Sequence, residues 1–348
     1  MSANESKLAA SKSPLRMKKD NHILTIIALM LLVCIIMLIL KPGSYFTMLN
    51  VRSMIFQFPE YGVLALGMMA CMIAGGIDLS LVGIMNLSGV LAALIVKNMV
   101  LIEGGEVANP AMVVPAIVLA CVVAVVVGAA CGAFNGFIIG YFGLPAMLVT
   151  LCGLQLYTGL AYGITGGPAI NGMCDAFKNI ANGTVAGIPY VLFIFIAVVA
   201  VVVFIMKCTV FGHEIYFLGS NAQAAMYSGI NTLKVTIMTY MFSGILGGIS
   251  GILITSHLNS AKSSNGSTYT LLSLLIVVLG GVHPDGGKGR VAGVVLAVLL
   301  LQMIANAFGL MHMSDNAKTF ANGCLLIAAL VLSVVLEKRE AQKAAAAS

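Results

Sequence analysis

The feature that most constrains this chain is a succession of apolar runs, each close to the length of a bilayer crossing, separated by short polar segments. A crossing helix needs about 20 such residues, and in hydrocarbon every backbone N–H and C=O must be paired within the segment itself. Runs of this kind can therefore fold only as helices. Charged residues make up 9% of the 348 residues against 60% hydrophobic, too little charge for a soluble domain of that length. The sequence predicts an all-α, polytopic integral membrane protein surrounded by membrane lipid. The net charge of +6 sits mainly at the two ends, so no folded basic surface exists for nucleic acid.

The predicted spans are Ile23–Leu40, Met54–Ala74, Val82–Val96, Ala111–Ile139, Leu144–Ile164, Pro189–Met206, Val235–His257, the short run Tyr269–Gly281, Val291–Met311 and Phe320–Leu336. Short loops rich in Lys and Arg stay on the cytoplasmic side. Lys7, Lys12, Arg16, Lys18 and Lys19 precede the first run, Lys207 and Lys234 bracket a central polar segment, and Lys338, Arg339 and Lys343 follow the last run. Both termini inside, with an even number of about ten spans, satisfies all of these. The first run lacks a small-x-small cleavage site and reads as an uncleaved span. The organisation is then a basic cytoplasmic tail (1–22), a transmembrane domain (23–336) containing a cytoplasmic segment at 207–234, and a second cytoplasmic tail (337–348). The segments 41–53, 97–110, 165–188 and 258–268 fall outside.

Gly128, Gly132 and Gly136 have the spacing that lets helices approach closely, and they read as packing within the molecule. The eight cysteines are scattered without a C-x-x-C pair and read as small apolar residues. No metal site, catalytic motif or phosphate loop is present. Gly281–Lys288 has one residue too many before Gly287-Lys288, and Gly289 stands where a hydroxyl residue belongs. Ionisable residues are expected near span ends: Glu60 at the interface, or alternatively facing a water-filled path, and Asp78 with Ser80 as a cap and turn opening the third span. A pathway with so few ionisable groups inside the membrane needs energy from elsewhere. The alternative is a stand-alone ion-coupled secondary carrier of a small polar solute.

The most patterned polar stretch is Phe211–Asn231, FGHEIYFLGSNAQAAMYSGIN. Ser220 and Asn221 can cap free N–H groups, and Gly229 is a helix stop, so a short surface helix is predicted over Ala222–Tyr227. A short capped helix joined to spans on both sides makes a rigid handle for another protein.

Three stretches carry a family resemblance. Gly219-Ser220-Asn221-Ala222-Gln223-Ala224-Ala225-Met226-Tyr227-Ser228-Gly229-Ile230 resembles the G-x-N-x-x-A-A-x-x-S-G-I segment of ABC importer permeases for simple sugars, the group serving ribose, xylose, galactose and autoinducer-2. Gly75, Gly76, Asp78 and Ser80, with Gly83, are similar to that group's G-G-I-D-L-S-V-G. Gly280, Gly281, Gly286, Gly287 and Gly289 are similar to its L-G-G-x-x-x-x-G-G-x-G. His283-Pro284-Asp285 departs from the small or hydroxyl residues common there. The GGIDLS and GGVHPDGGKG segments leave two related halves open.

The resemblance implies a permease that works as a homodimer or with a related permease chain. It implies an external sugar-binding protein and a cytoplasmic ABC ATPase that carries the ATP and Mg, this chain binding no cofactor. It implies that Gly219, Asn221, Ala224, Ala225 and Gly229 form the helix on which the ATPase docks. A sugar route needs neutral hydrogen-bonding groups in the spans, and Gln57, Asn86, Ser88, Asn135, Thr150, Gln155 and Asn306 qualify. For any one of them, interhelical hydrogen bonding worth about 0.6–2 kcal/mol is the plainer role. As a set, Asn86, Asn135 and Asn306 are expected to line the route.

Overall fold

The computed structural model describes residues 21–331, except 101, 104, 105, 108, 109, 315, 319, 329 and 330. Residues 1–20 of the first charged tail and all of the second lie outside the described residues, and so does the end of the tenth predicted span, described as helix over 320–328. The helices are α1 (Asn21–Leu40), α2 (Met48–Ile73), α3 (Leu81–Val100), α4 (Val113–Phe142), α5 (Ala146–Thr165), α6 (Asp175–Asn182), α7 (Tyr190–Cys208), α8 (Val210–Ser220), α9 (Ala222–Tyr227), α10 (Thr232–Leu258), α11 (Tyr269–Leu279) and α12 (Val291–Leu310). Among the described residues, eight helices are long and apolar enough to cross a membrane: α1, α2, α3, α4, α5, α7, α10 and α12. The eighth predicted span is the short α11, of 11 residues.

Helix α10 is the centre of the bundle, with α2, α3 and α4 packed around it. Small residues make this possible. A β-carbon on Gly128 would overlap the Gly244 carbonyl oxygen, and one on Gly132 the Tyr240 oxygen; one on Gly136 would stand 2.7 Å from Ile237 Cα. The glycine row of α4 is thus spent on α10 of the same chain. Without a hydrophobic drive between helices in lipid, such backbone proximity supplies the packing energy. Helices α1 and α7 carry apolar side chains outward, among them Leu31, Ile39, Ile196 and Phe204.

The helices share two ends. At one, α2, α4, α7 and α11 finish, and α10 and α12 begin, with α8 and α9 between α7 and α10. The other is tied by a two-residue antiparallel ladder between Ile170–Asn171 and Ser260–Ala261. There the segment expected as a plain loop, 165–188, contains α6. Ser256 Oγ holds α6 to α10 by accepting from Ala181 N at 2.9 Å and donating to Phe177 O at 2.7 Å. The segment 41–53, also expected as a loop, already holds the first turns of α2, because Thr47 caps Asn50 N at 3.3 Å.

Candidate coupling and translocation sites

The three patterned stretches meet at the α9 end. The helices α2, α9 and α11 all finish in the same way. After α2, Ala74, Gly75 and Gly76 N–H groups donate to Ala70, Met72 and Cys71. After α11, Gly280, Gly281 and Val282 donate to Ile276, Val278 and Val277; after α9, Ser228, Gly229 and Ile230 donate to Ala224, Met226 and Ala225. This pattern requires a left-handed residue at its corner, and Gly75, Gly281 and Gly229 take it with φ of +91°, +80° and +85°. The same turn at the ends of α2 and α11 gives the two similar segments one local geometry.

Gly219 is where the stretches touch. Its Cα packs against Ile73 O, at the end of α2, and a β-carbon there would also stand 2.6 Å from Gly287 N. Gly287 N–H itself donates to Ile73 O at 2.8 Å. A β-carbon on Gly286 would lie 2.8 Å from both Gly219 O and Gly75 Cα. Tyr216, on α8, donates its hydroxyl to Gly289 O at 2.9 Å. Burial pushes that hydroxyl's pKa up, against a smaller downward pull from Arg290, so it remains a donor. Backbone from all three stretches is thus locked into one junction.

Helix α9 stands on this junction as predicted, from Ala222 to Tyr227, and Asn221 Oδ1 accepts from Ala224 N at 2.9 Å. The five small or capping residues divide by role. Gly219 and Ala225 face the body of the bundle, Asn221 and Gly229 close the two ends of α9, and Ala224 is exposed. The side chains projecting from the handle are Met226, 55% exposed, and Tyr227, 84% exposed. Sequence reasoning passed over both, although two large residues beside an Ala-Ala pair on a short surface helix were there to be seen.

Asp78 is more than a cap. It opens α3 by accepting from Ser80 N at 3.1 Å and Ser80 Oγ at 2.6 Å, and its other oxygen accepts from Ser243 Oγ, inside α10, at 2.8 Å. Asn135 donates to Ser80 Oγ at 2.8 Å, and Tyr157 donates to Asn135 Oδ1 at 2.8 Å. One chain of bonds therefore joins α10, the α2–α3 linker, α4 and α5. The three candidate route asparagines are not brought together. Asn135 belongs to this network, Asn86 donates to Ser263 O at 2.7 Å, and Asn306 pairs with Asn50 through two bonds of 2.9 Å. Thr150 bonds to Ile77 O at 2.9 Å, and Gln155 is exposed on α5.

The expectation that Glu60 sits at the interface is corrected. Because α2 starts at Met48, Glu60 is its thirteenth residue, about 18 Å along the axis at 1.5 Å per residue. It is 2% exposed. Its Oε1 is hydrogen-bonded to His257 Nδ1, and its Oε2 accepts from Tyr269 OH at 3.1 Å. Nearby on α2, Tyr61 OH bonds to Gln302 Oε1, Gln302 Nε2 donates to Gln57 Oε1 at 3.2 Å, and Gln57 Nε2 donates to Ser53 Oγ at 3.3 Å. Asn50, Ser53, Gln57 and Glu60 recur at helical spacing on one face of α2. A file of polar groups thus runs inward from the end opposite α9.

A bundle of spanning helices with a rigid handle at one end and a polar file entering from the other is the architecture of a membrane permease. Over residues 50–330 the chain matches the family described as branched-chain amino acid transport system/permease component, and it belongs to that family. It is similar to the ribose import permease RbsC of Haemophilus influenzae, 32% identical over 88% of this chain and 90% of that protein. It is similar also to the L-arabinose transport system permease AraH of Escherichia coli, 26% identical over 90% of each, and to the autoinducer 2 import permease LsrD of Photorhabdus temperata, 30% identical over 82% of this chain and 84% of that protein. No solved structure matches the chain.

Proposed function

We propose that this chain is the membrane-spanning subunit of an ATP-driven importer for a monosaccharide or related small polyol. The permeases it resembles over most of its length are named for import or transport of ribose, L-arabinose and autoinducer 2. The observation that carries the reading is the junction at Gly219. It couples a projecting handle to the end of α2 and to the loop that joins α11 to α12, so a push on α9 is passed to both. A separate cytoplasmic ATPase, holding ATP and Mg, docks on α9 through Met226 and Tyr227; the permease itself supplies no nucleotide site. An external binding protein delivers the solute to the opposite end, and a second permease copy or a related chain completes the assembly. In this orientation the α9 end is cytoplasmic, both termini are inside, and the membrane is the bacterial cell membrane. The solute passes the polar file on α2 and Asn306, while Asn86 and Asn135 tie helices together.

The test is uptake of a panel of radiolabelled pentoses and hexoses by cells with and without this gene, together with copurification of the ATPase. Loss of uptake of one sugar, and an ATPase that stays with the tagged permease, is the expected result. Sugar uptake indifferent to the gene would remove the reading.

A further inference from the structure

We propose that Glu60, His257 and Tyr269 form a recognition site for the hydroxyl groups of the transported solute, set in the half of the bundle opposite α9; this rests on the reading of the chain as a sugar permease. The carboxylate is buried, and it is bonded to an imidazole and a phenol. Burying a carboxylate costs several kcal/mol unless it is well paired, and an ionisable residue inside a span marks a solute path more often than a packing role. A leucine at this position would pack without that cost.

The geometry suits a polyol. The two carboxylate oxygens each accept one hydrogen bond, from groups on two different helices. His257 is the second-last residue of α10 and Tyr269 the first of α11, so the two partners flank the 259–268 segment. Two neighbouring hydroxyls of a sugar are two donors spaced to replace the N–H and the O–H on those oxygens. Aromatic faces surround the pair: Phe56 stacks on His257 at 6.4 Å, and Tyr61 meets Tyr269 edge-on at 5.7 Å. Sugar sites combine a few fixed polar groups with apolar walls of this kind. The site is also reachable. The His257 side chain is 25% exposed, and the polar file through Ser53 and Gln57, both exposed, leads to it.

The uptake panel separates the two levels. If no sugar depends on the gene, the permease reading falls and this inference falls with it. With the sugar that does depend on it, Glu60→Gln is expected to lower maximal uptake about tenfold or more, the scale of one lost charge-assisted hydrogen bond. Glu60→Asp is expected to restore part of it, and the binding protein's affinity to stay unchanged. Wild-type uptake by Glu60→Gln at normal abundance overturns the site and leaves the permease reading standing. Should Glu60→Gln fail to accumulate, His257→Cys, in the complete importer freed of native cysteines, gives the second readout. A membrane-impermeant maleimide added outside is expected to label it, and the sugar with its binding protein to slow the labelling. No labelling, or labelling indifferent to sugar, overturns the proposal.

Discussion

Gly219 stands so close to Ile73 that any β-carbon on it would overlap the Ile73 carbonyl oxygen, which already accepts the Gly287 N–H at 2.8 Å. Three backbone segments distant in sequence are thereby held at one point, none with a flexible side chain to give way. A contact of backbone against backbone transmits displacement without the slack of rotamers, as a handle requires.

Gly219→Ala should therefore separate the handle from α2. Overpacking of this kind costs about 1–3 kcal/mol, and here the yielding atoms are main chain. We expect uptake to fall steeply while the protein remains in the membrane with a lowered Tm. Gly309→Ala, where nothing lies within 4 Å and φ is unexceptional, is the control. It should match or exceed the wild type in stability, since Ala is the better helix former by about 1 kcal/mol. Equal behaviour of the two variants would remove the mechanical role of the junction.

Met226 and Tyr227 should carry the docking of the ATPase. Exposed large side chains on a short helix become anchors when a partner's groove covers them, and such anchors cost about 2 kcal/mol or more when truncated. The double change Met226→Ala with Tyr227→Ala should reduce ATPase copurification and leave Tm unaltered. Ala225→Glu tests something else, because Ala225 is buried beneath α9 and a carboxylate there would unseat the helix. Undiminished copurification in the double variant would place docking elsewhere.

Much of this was legible in the sequence. The apolar runs gave eight of the ten expected spans as long helices among the described residues, and Asn221 and Gly229 gave both ends of α9, because caps and left-handed turns act through nearest neighbours. The small-residue row at Gly128, Gly132 and Gly136 announced close packing. What the sequence withheld was tertiary. Glu60 looked interfacial because the start of α2 was placed six residues late, and its partners lie 197 and 209 residues away. Asp78 read as a cap because its bond to Ser80 is local, whereas Ser243 is 165 residues distant. The likeness of the GGIDLS and GGVHPDGGKG segments could be read, but not their meeting with Gly219.

The proposed sidedness is open to direct measurement. In a background without native cysteines, Ser220→Cys and Asp285→Cys, both exposed at the α9 end, should react only with reagents that reach the cytoplasm. Asn171→Cys and Ser264→Cys, exposed at the opposite end, should react from outside. A reversed pattern at Ser220 would end the assignment of α9 to the ATPase.

The bond between Asp78 and Ser243 should prove energetically coupled to the opening of α3. Asp78 is fully buried, and its two oxygens are shared between Ser80, which starts α3, and Ser243, midway along α10. Ser243→Ala leaves one carboxylate oxygen without its donor, a penalty of about 1–3 kcal/mol for a buried group. Asp78→Asn turns one acceptor into a donor and disturbs the same bond together with the Ser80 cap. If the two residues act through their shared bond, the double variant should be less destabilised than the sum of the singles, with a coupling of about 0.5–3 kcal/mol in thermal unfolding of the purified protein. Asn135→Leu should weaken the network from its other side by removing the donor to Ser80 Oγ and one of the two acceptors of the Tyr157 hydroxyl, whose other is Cys131 O at 2.9 Å, whereas Asn306→Leu, which breaks the Asn50 pair, should be additive with Asp78→Asn. Simple additivity of Asp78→Asn and Ser243→Ala would mean that the carboxylate serves the α3 cap alone, and that α10 is held to the linker by packing.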